Sequence, residues 1–309
     1  MSQSSTPAVA DAIYDASSLG RPRMFLLGLQ HLFAMFGATV LVPVLTGLSV
    51  SATLLFAGLG TLLFHFLSRG KVPAFLGSSF AFIAGYAAIA PNGETELLPY
   101  ACLGVACAGL LYPVLAALFR AFGAKRVMRF FPPVVTGPIV ISIGLILASS
   151  AIANCQTNWL VAVIGVAVIV ICNIWGRGMV KIIPILLGVV GGYVAALLAG
   201  MVDFTGLSGS TLLGGENPIL GLQPFFTDFS GSVAKFDLSA ILVMAPIAVA
   251  SMMEHIGDIS AISATVGENF IEKPGLHRTL VGDGVATALA GLFGGPANTT
   301  YGENTGVLA

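Results

Sequence analysis

Apolar segments of similar length, separated by short polar links, follow one another along the chain from Arg21 onward. Most come close to the ~20 residues that an α-helix needs to cross a bilayer. The predicted spans are Met24–Leu45, Ser51–Leu67, Pro73–Ala90, Pro99–Phe122, Val134–Ile152, Trp159–Trp175, Ile182–Met201, Ser239–Ile259 and His277–Phe293, with a tenth beginning near Asn298. The pattern therefore predicts an all-α polytopic membrane protein.

The positive residues fall almost entirely on one side of these predicted spans. Of the 13 Lys and Arg residues, twelve lie before span one or in the links after spans two, four, six and eight and the adjoining span ends, and only Lys235 lies on the other side. Cytoplasmic loops carry the excess of Lys and Arg. The N-terminus is therefore predicted to be cytoplasmic, in a protein of the cytoplasmic (inner) membrane.

Composition narrows the class of protein further. Hydrophobic residues make up 56% of the chain and charged residues 9%, whereas a soluble domain has about a quarter charged residues. Membrane lipid is thus an expected partner. The net charge of −1 and the lack of a basic tract argue against nucleic acid. No nucleophile–base set, cofactor loop or metal-ligand spacing occurs in the sequence, which predicts no enzyme, no cofactor and no metal.

Two segments inside predicted spans interrupt the helical pattern. "VPAFLGSSF" in span three and "GPANTTYGE" in span ten share Pro-Ala followed by small and hydroxyl-bearing residues, and Pro73 and Pro296 are 223 positions apart. Interrupted segments in corresponding places of two halves indicate a transporter site at the bilayer midplane. The alternative is that the two Pro-Ala segments match by chance and that the chain has no internal repeat. If the repeat is real, the chain is expected to stop within span ten, roughly a hundred residues before its second half closes.

Four carboxylates fall in or beside spans eight to ten: Glu254, Asp258, Asp283 and Glu303. An intramembrane carboxylate is costly and by default a functional-site candidate. Glu254 and Asp258 are spaced i, i+4, so they share one helix face. The "GDGVAT" context places Asp283 near the entrance of its helix. Hydrogen bonds that only hold the bundle together are the alternative for each of them.

Two histidines also lie within predicted spans. His31, in "LQHLFAMFGATVLVP", is interpreted either as a packed side chain bonded to a neighbouring span or as a substrate contact. His255 lies about 100° from Glu254 around the helix and could belong to either class.

The motifs "QHLFAMFGATVLVP", "PAFLGSSFAF", "EHIGD", "PGLHRTLVGDG" and "PANTTYGENTG" together resemble the uracil-permease branch of the nucleobase-cation symporter 2, or nucleobase-ascorbate transporter, family. The resemblance covers the chain from Arg21 onward. It implies fourteen spans in two inverted seven-span repeats, with a core domain that moves against a gate domain. It also implies a short strand in each of spans three and ten, with the substrate between them.

The resemblance also implies how the chain divides. Residues 1–20 form a polar cytoplasmic tail, 21–133 core-domain spans one to four, 134–203 gate-domain spans five to seven, 204–238 an extracytoplasmic loop, and 239–309 core-domain spans eight to ten. The last unit is incomplete, since the family pattern continues past "ENTG" into further spans. About ten of the fourteen spans are thus expected in this chain.

Five site residues follow from the resemblance. Glu254 and Glu303 match two substrate-binding carboxylates, and His31 matches the histidine of span one. Phe80 matches the span-three residue whose backbone contacts the substrate, and Gly302 matches the facing backbone position.

One position departs from the pattern of some family members. These carry a histidine one turn after the span-eight glutamate, where this chain has Asp258. This departure leaves the proton-coupling partner open. The coupling proton is expected on Glu254, with Asp258 as a possible second acceptor, because two carboxyls that share a low-dielectric site do not readily ionise together.

The resemblance implies proton-coupled uptake of uracil by an alternating-access symporter, with uracil, protons and a second copy of the chain as partners. The alternatives are a xanthine or purine symporter of the same family, in which a glutamine commonly replaces Glu303, and a non-transporting truncated fragment. A sulfate-type anion transporter is disfavoured by the carboxylate at Glu303.

Overall fold

The structure is a computed structural model that describes residues 20–127, 129, 133–177, 180, 183–203, 236–302, 305 and 308. The helices are α1 (Arg21–Thr46), α2 (Val50–Leu67), α3 (Ile83–Ile89), α4 (Leu98–Phe122), α5 (Ala124–Val127), α6 (Pro133–Cys155), α7 (Trp159–Trp175), α8 (Pro184–Leu198), α9 (Leu238–Val266) and α10 (Leu276–Leu292). Two strands, β1 (Leu76–Ser78) and β2 (Asn298–Thr300), a 3-10 turn at Phe80–Phe82 and a π turn at Ile271–Gly275 complete the described elements.

A described helix covers most of each of the predicted spans one, two and four to nine. Among the described helices α2, α4 and α9 are long and apolar enough to cross a membrane by length and composition. The chain is thus mostly helical with several apolar helices, as expected for a polytopic membrane protein, while the number of spans and the repeat stay predictions.

Among the predicted spans that form one continuous helix, span eight differs most in length, because α9 continues past the predicted end at Ile259 to Val266. Three of the seven added residues carry hydroxyls, and the Ser260 and Ser263 hydroxyls donate back to the carbonyls of the preceding turn, at 2.7 and 2.6 Å. This bonding satisfies the hydroxyls within the helix. Gly267 then ends α9 in a left-handed conformation, with φ of 77°.

Span three is not a continuous helix. It comprises an extended segment from Pro73, strand β1, the 3-10 turn and the short helix α3. β1 pairs antiparallel with β2, in the register Leu76↔Thr300, Gly77↔Thr299 and Ser78↔Asn298. Backbone groups that are buried away from water must be paired, and each strand supplies partners for the other. The two short strands predicted in spans three and ten are therefore present.

The helices form a packed group around this strand pair. α4 packs against α9 and α10, and α10 also packs against α2. α1 and α2 contact β1, while α9 and α10 contact β2. α7 packs mainly against α8, away from the strands. The strand pair thus lies where α1, α2, α9 and α10 meet.

Helix α9 begins with a side-chain cap that yields a test of stability. Asp237 accepts hydrogen bonds from the amide N–H groups of Ser239 (3.1 Å) and Ala240 (3.3 Å) and from the Ser239 hydroxyl. The bond from the Ser239 hydroxyl, followed by those from the amides, holds the pKa of Asp237 below its usual range. Because the pKa is lower in the folded state, this stabilisation is present at neutral pH and is lost as pH falls below about 4.

We therefore expect Asp237→Ala to lower the melting temperature of the detergent-solubilised chain at pH 7 and to have a smaller effect at pH 3. Asp237→Asn is the control, since its side-chain oxygen still caps the helix without a charge. An equal loss at both pH values would contradict a contribution from the ionised carboxylate.

Candidate functional site

The candidate site is built around the strand pair, which side-chain hydrogen bonds tie to α2 and α10. The Asn298 amide donates to the carbonyls of Phe56 on α2 (3.2 Å) and Ala286 on α10 (3.4 Å). Thr287 of α10 donates to the Asn298 carbonyl (2.8 Å) and accepts from its N–H (3.2 Å). Thr61 of α2 accepts from the N–H of Leu76 (2.9 Å). These bonds replace the helical hydrogen bonds that both interrupted spans lack.

Tyr301, which follows β2, ties both strands to α1. Its hydroxyl donates to the Ser78 carbonyl at 3.1 Å and lies 3.1 Å from the Thr39 hydroxyl. Ser78 in turn donates to the Thr39 carbonyl at 3.0 Å. The tyrosine ring lies so close to Gly77 that a side chain there would overlap it. Sequence reasoning missed Tyr301 and Thr39, although a hydroxyl within an apolar span is a signal that can be read.

The predicted backbone positions Phe80 and Gly302 lie past opposite ends of the strand pair. Phe80 opens the 3-10 turn after β1 and is partly buried. Gly302 lies two residues after β2. The antiparallel register separates the two positions by the length of the ladder, on the order of 10 Å for three residue pairs.

The carboxylate of Asp258 lies at the end of β2. It accepts a hydrogen bond from the Thr300 hydroxyl at 2.8 Å, and a Cβ placed on Gly302 would lie 3.5 Å from its other oxygen. Glu254, one turn earlier on α9, is also partly buried. The structure thus brings Asp258 together with Gly302, two of the residues predicted from the sequence.

Asp283 is fully buried and pairs with a histidine. Its Oδ2 lies 2.8 Å from Nδ1 of His255, and both side chains have 0% exposure. The prediction that Asp283 lies near the entrance of its helix is wrong. α10 begins at Leu276, one residue before the predicted start of span nine, so Asp283 lies about two turns into the helix, where its side chain is fully buried.

The other predicted site residues lie apart from this pair. His31 on α1 is partly buried and meets the ring of Phe75 edge to face, with centroids 5.7 Å apart. The Phe75 ring in turn meets that of Tyr301 at 6.3 Å. Glu303 lies outside the described residues, so its place at the site stays a prediction. Within the residues that the structure describes, no cluster of three or more His, Cys, Asp or Glu side chains is positioned to hold a metal ion.

A short strand ladder enclosed by apolar helices, with carboxylates at its edge, defines an integral membrane protein with a polar site inside its helix bundle. The sequence model of the Permease family matches residues 22–309, and the chain belongs to this family. The family resemblance that the sequence motifs indicated is thus confirmed.

Several curated relatives carry permease names. The chain is 42% identical over 292 residues to the uracil permease of Bacillus caldolyticus, covering 92% of this chain and 65% of that protein. It is 42% identical over 302 residues to the uracil permease of Bacillus subtilis (91% and 65%) and 38% identical over 294 residues to that of Escherichia coli K12 (92% and 65%). The chain thus spans 65% of the length of these relatives. Their names are those of transporters rather than enzymes.

Proposed function

We propose that the chain forms the substrate-binding part of a uracil transporter of the cytoplasmic membrane. The observation that carries this proposal is the strand pair inside the helix bundle, with Asp258 against the end of β2 and Glu254 one turn away. The relatives named uracil permeases support uracil as the substrate.

The chemistry of uracil suits such a site. Uracil is neutral and planar, with ring N–H donors and carbonyl acceptors. A carboxylate accepts from an N–H group, and a protonated carboxyl or a backbone N–H donates to a carbonyl. We assign the carboxylates to Glu254 and Glu303 and the backbone donors to Phe80 and Gly302. Phe80 starts a helical turn, where N–H groups have no partner within the helix. His31 completes the proposed set from α1.

Alternating access would use the division into core and gate domains. The grouping of α4, α9 and α10 with α2 and the strands supports a core of spans one to four and eight to ten. α7 and α8 pack mainly against each other, which supports their assignment to a separate gate. Motion between these groups would expose the site to each side of the membrane in turn, with the N-terminus cytoplasmic.

A neutral substrate brings no driving force from its own charge, so accumulation needs a coupled ion. We assign this role to a proton carried by Glu254. Two neighbouring carboxyls in a desolvated site do not readily ionise together, and one of them therefore holds a proton near neutral pH. Asp258 is the second acceptor in this proposal.

The test of substrate assignment uses a chimera, defined as the Bacillus caldolyticus uracil permease in which the region matching this chain is replaced by this chain. We expect the chimera to take up radiolabelled uracil in cells that lack uracil uptake.

Glu303→Gln exchanges one acceptor oxygen for a donor. It should therefore weaken uracil binding by about 1–3 kcal/mol, or five- to a hundredfold.

Glu268→Gln is the matched control, because Glu268 lies exposed in the link after α9. It should leave uracil uptake unchanged. Uracil affinity that is equal in the Glu303→Gln and control chimeras would place the substrate elsewhere. A gain of xanthine uptake in Glu303→Gln would show that this residue selects between pyrimidine and purine.

A further inference from the structure

Three helix ends meet on the side of the bundle that the sequence predicts to be cytoplasmic. α10 packs against both α2 and α4, and it begins where those two helices end. Arg278, in the first turn of α10, donates from Nη1 to the carbonyl of Leu67, the last residue of α2, at 3.3 Å. Arg120, in the last turn of α4, lies close enough to His277 to interact with it electrostatically. The three helix ends thus bring arginines from different helices together.

A second pair of cations adjoins these helix ends. Helix α5 follows α4 and contacts the π turn Ile271–Gly275, which directly precedes α10. Arg126 on α5 and Lys273 in the π turn are both exposed. The exposed carboxylates nearby are those of Glu268 and Glu272. We call the exposed cations of this region the basic rim, which consists of Arg69, Arg120, Arg126 and Lys273.

The charges of the basic rim are not neutralised by ion pairs. None of its four side chains forms an ion pair with a carboxylate within the residues that the structure describes. Arg278, which is partly buried beside them, adds a further positive charge. Like charges that are brought together repel each other, most strongly where the surroundings are less polar than water. An anion bound from outside the chain would remove this repulsion.

The backbone at Arg69 indicates that its side chain has a role at this place. Arg69 follows the end of α2 with a φ of 60°, and it is the one non-glycine residue with a positive φ in the part of the chain that the structure describes. Its N–H donates to the Phe66 carbonyl at 3.2 Å, and that of Gly70 donates to the His65 carbonyl at 2.8 Å. Glycine or asparagine would adopt this left-handed turn at lower cost. Strained residues of this kind are concentrated at functional sites.

Apolar side chains lie next to the basic rim on the same helices. Phe66 is exposed one turn before Arg69, and Phe122 is exposed two residues after Arg120. In a membrane protein, such side chains at helix ends lie at the boundary between the acyl chains and the headgroups. Arginine binds phosphate through two parallel hydrogen bonds. A phosphate that carries acyl chains would therefore use both the cations and the apolar side chains, whereas inorganic phosphate would use the cations alone.

We propose that the basic rim is a binding site for the phosphate headgroup of an anionic phospholipid, whose acyl chains lie against α2 and α4. The alternative is that these cations only set the orientation of the chain in the membrane. Orientation depends on how many positive residues the links carry. It requires neither the meeting of the three helix ends nor the left-handed conformation of Arg69. Basic pockets between helices on this side of a membrane are suited to anionic headgroups.

The test measures the melting temperature of the purified full chain in detergent as phosphatidylglycerol is added. Phosphatidylglycerol should raise the melting temperature until the site is saturated, and phosphatidylcholine with the same acyl chains should not. Arg69→Asn and Arg120→Gln should each weaken the apparent affinity for phosphatidylglycerol about fivefold, and the double variant about 25-fold. Without phosphatidylglycerol, Arg69→Asn should melt no lower than the unaltered chain, because asparagine readily adopts the left-handed conformation.

Arg177→Gln is the matched control, because Arg177 is exposed in the link between α7 and α8, which is predicted to lie on the same side of the membrane. It removes the same charge outside the basic rim and should leave the affinity unchanged. The inference is overturned if Arg177→Gln weakens the affinity as much as Arg120→Gln, if phosphatidylglycerol does not raise the melting temperature, or if inorganic phosphate raises it equally. Because uracil plays no part in this measurement, the result is independent of the proposed function.

Discussion

Gly109→Ala is expected to destabilise the folded chain by about 3 kcal/mol, at the upper end of what one misplaced methyl group costs in a packed interior. Gly109 lies on α4 where this helix meets α10. A Cβ there would lie 2.6 Å from the Ala288 nitrogen and 2.7 Å from the Gly284 carbonyl oxygen. Both are backbone atoms, so no side-chain rotation can make room and the helices would have to separate. Small residues commonly permit such close approach in membrane proteins.

Gly58→Ala on α2 is the matched control, because its Cβ would meet nothing within 4 Å. Alanine is a better helix former than glycine by up to ~1 kcal/mol, so this control should be neutral or slightly stabilising. The measurement is the melting temperature of each variant in detergent. Equal melting temperatures for the two variants would show that α4 and α10 do not approach as closely as described.

Glu254→Gln in the chimera is expected to abolish accumulation of uracil against a gradient while leaving exchange of uracil across the membrane. Glutamine resembles the protonated carboxyl in shape and hydrogen bonding, so substrate can still bind, but it cannot release or take up a proton. The measurement is concentrative uptake under an imposed pH gradient, compared with exchange of labelled for unlabelled uracil. In the unsubstituted chimera, uptake should fall as external pH rises and should collapse with an uncoupler.

Asp258→Asn is the informative comparison, since the carboxyl of Asp258 lies one turn from Glu254 on the same helix face. We expect it to retain proton-dependent accumulation, although with weaker uptake because the bond from Thr300 is altered. If Glu254→Gln still accumulates uracil in a proton-dependent way and Asp258→Asn does not, the proton carrier is Asp258.

The sequence predicted the bounds of a helix well where the length of an apolar segment sets them. The sixth predicted span and α7 have the same bounds, Trp159–Trp175, because Asn158 caps one end and Gly176 follows the other. Span eight was underestimated because hydroxyl residues extend α9 in a way that hydropathy does not register. The strands were predicted through the resemblance alone. The paired Pro-Ala segments predicted only that spans three and ten are not continuous helices, since proline and small hydroxyl residues disfavour a continuous helix.

The sequence by itself determined the class of protein, the places of the apolar helices, the interruptions in spans three and ten and a list of carboxylates worth testing. Each of these depends on composition or on spacing along one segment. Only the tertiary structure decided that Asp283 meets His255, that Thr300 meets Asp258 and that Tyr301 joins α1 to both strands. These partners lie on different helices or strands, and which faces meet depends on how the helices pack, through contacts such as that of Gly109 with α10.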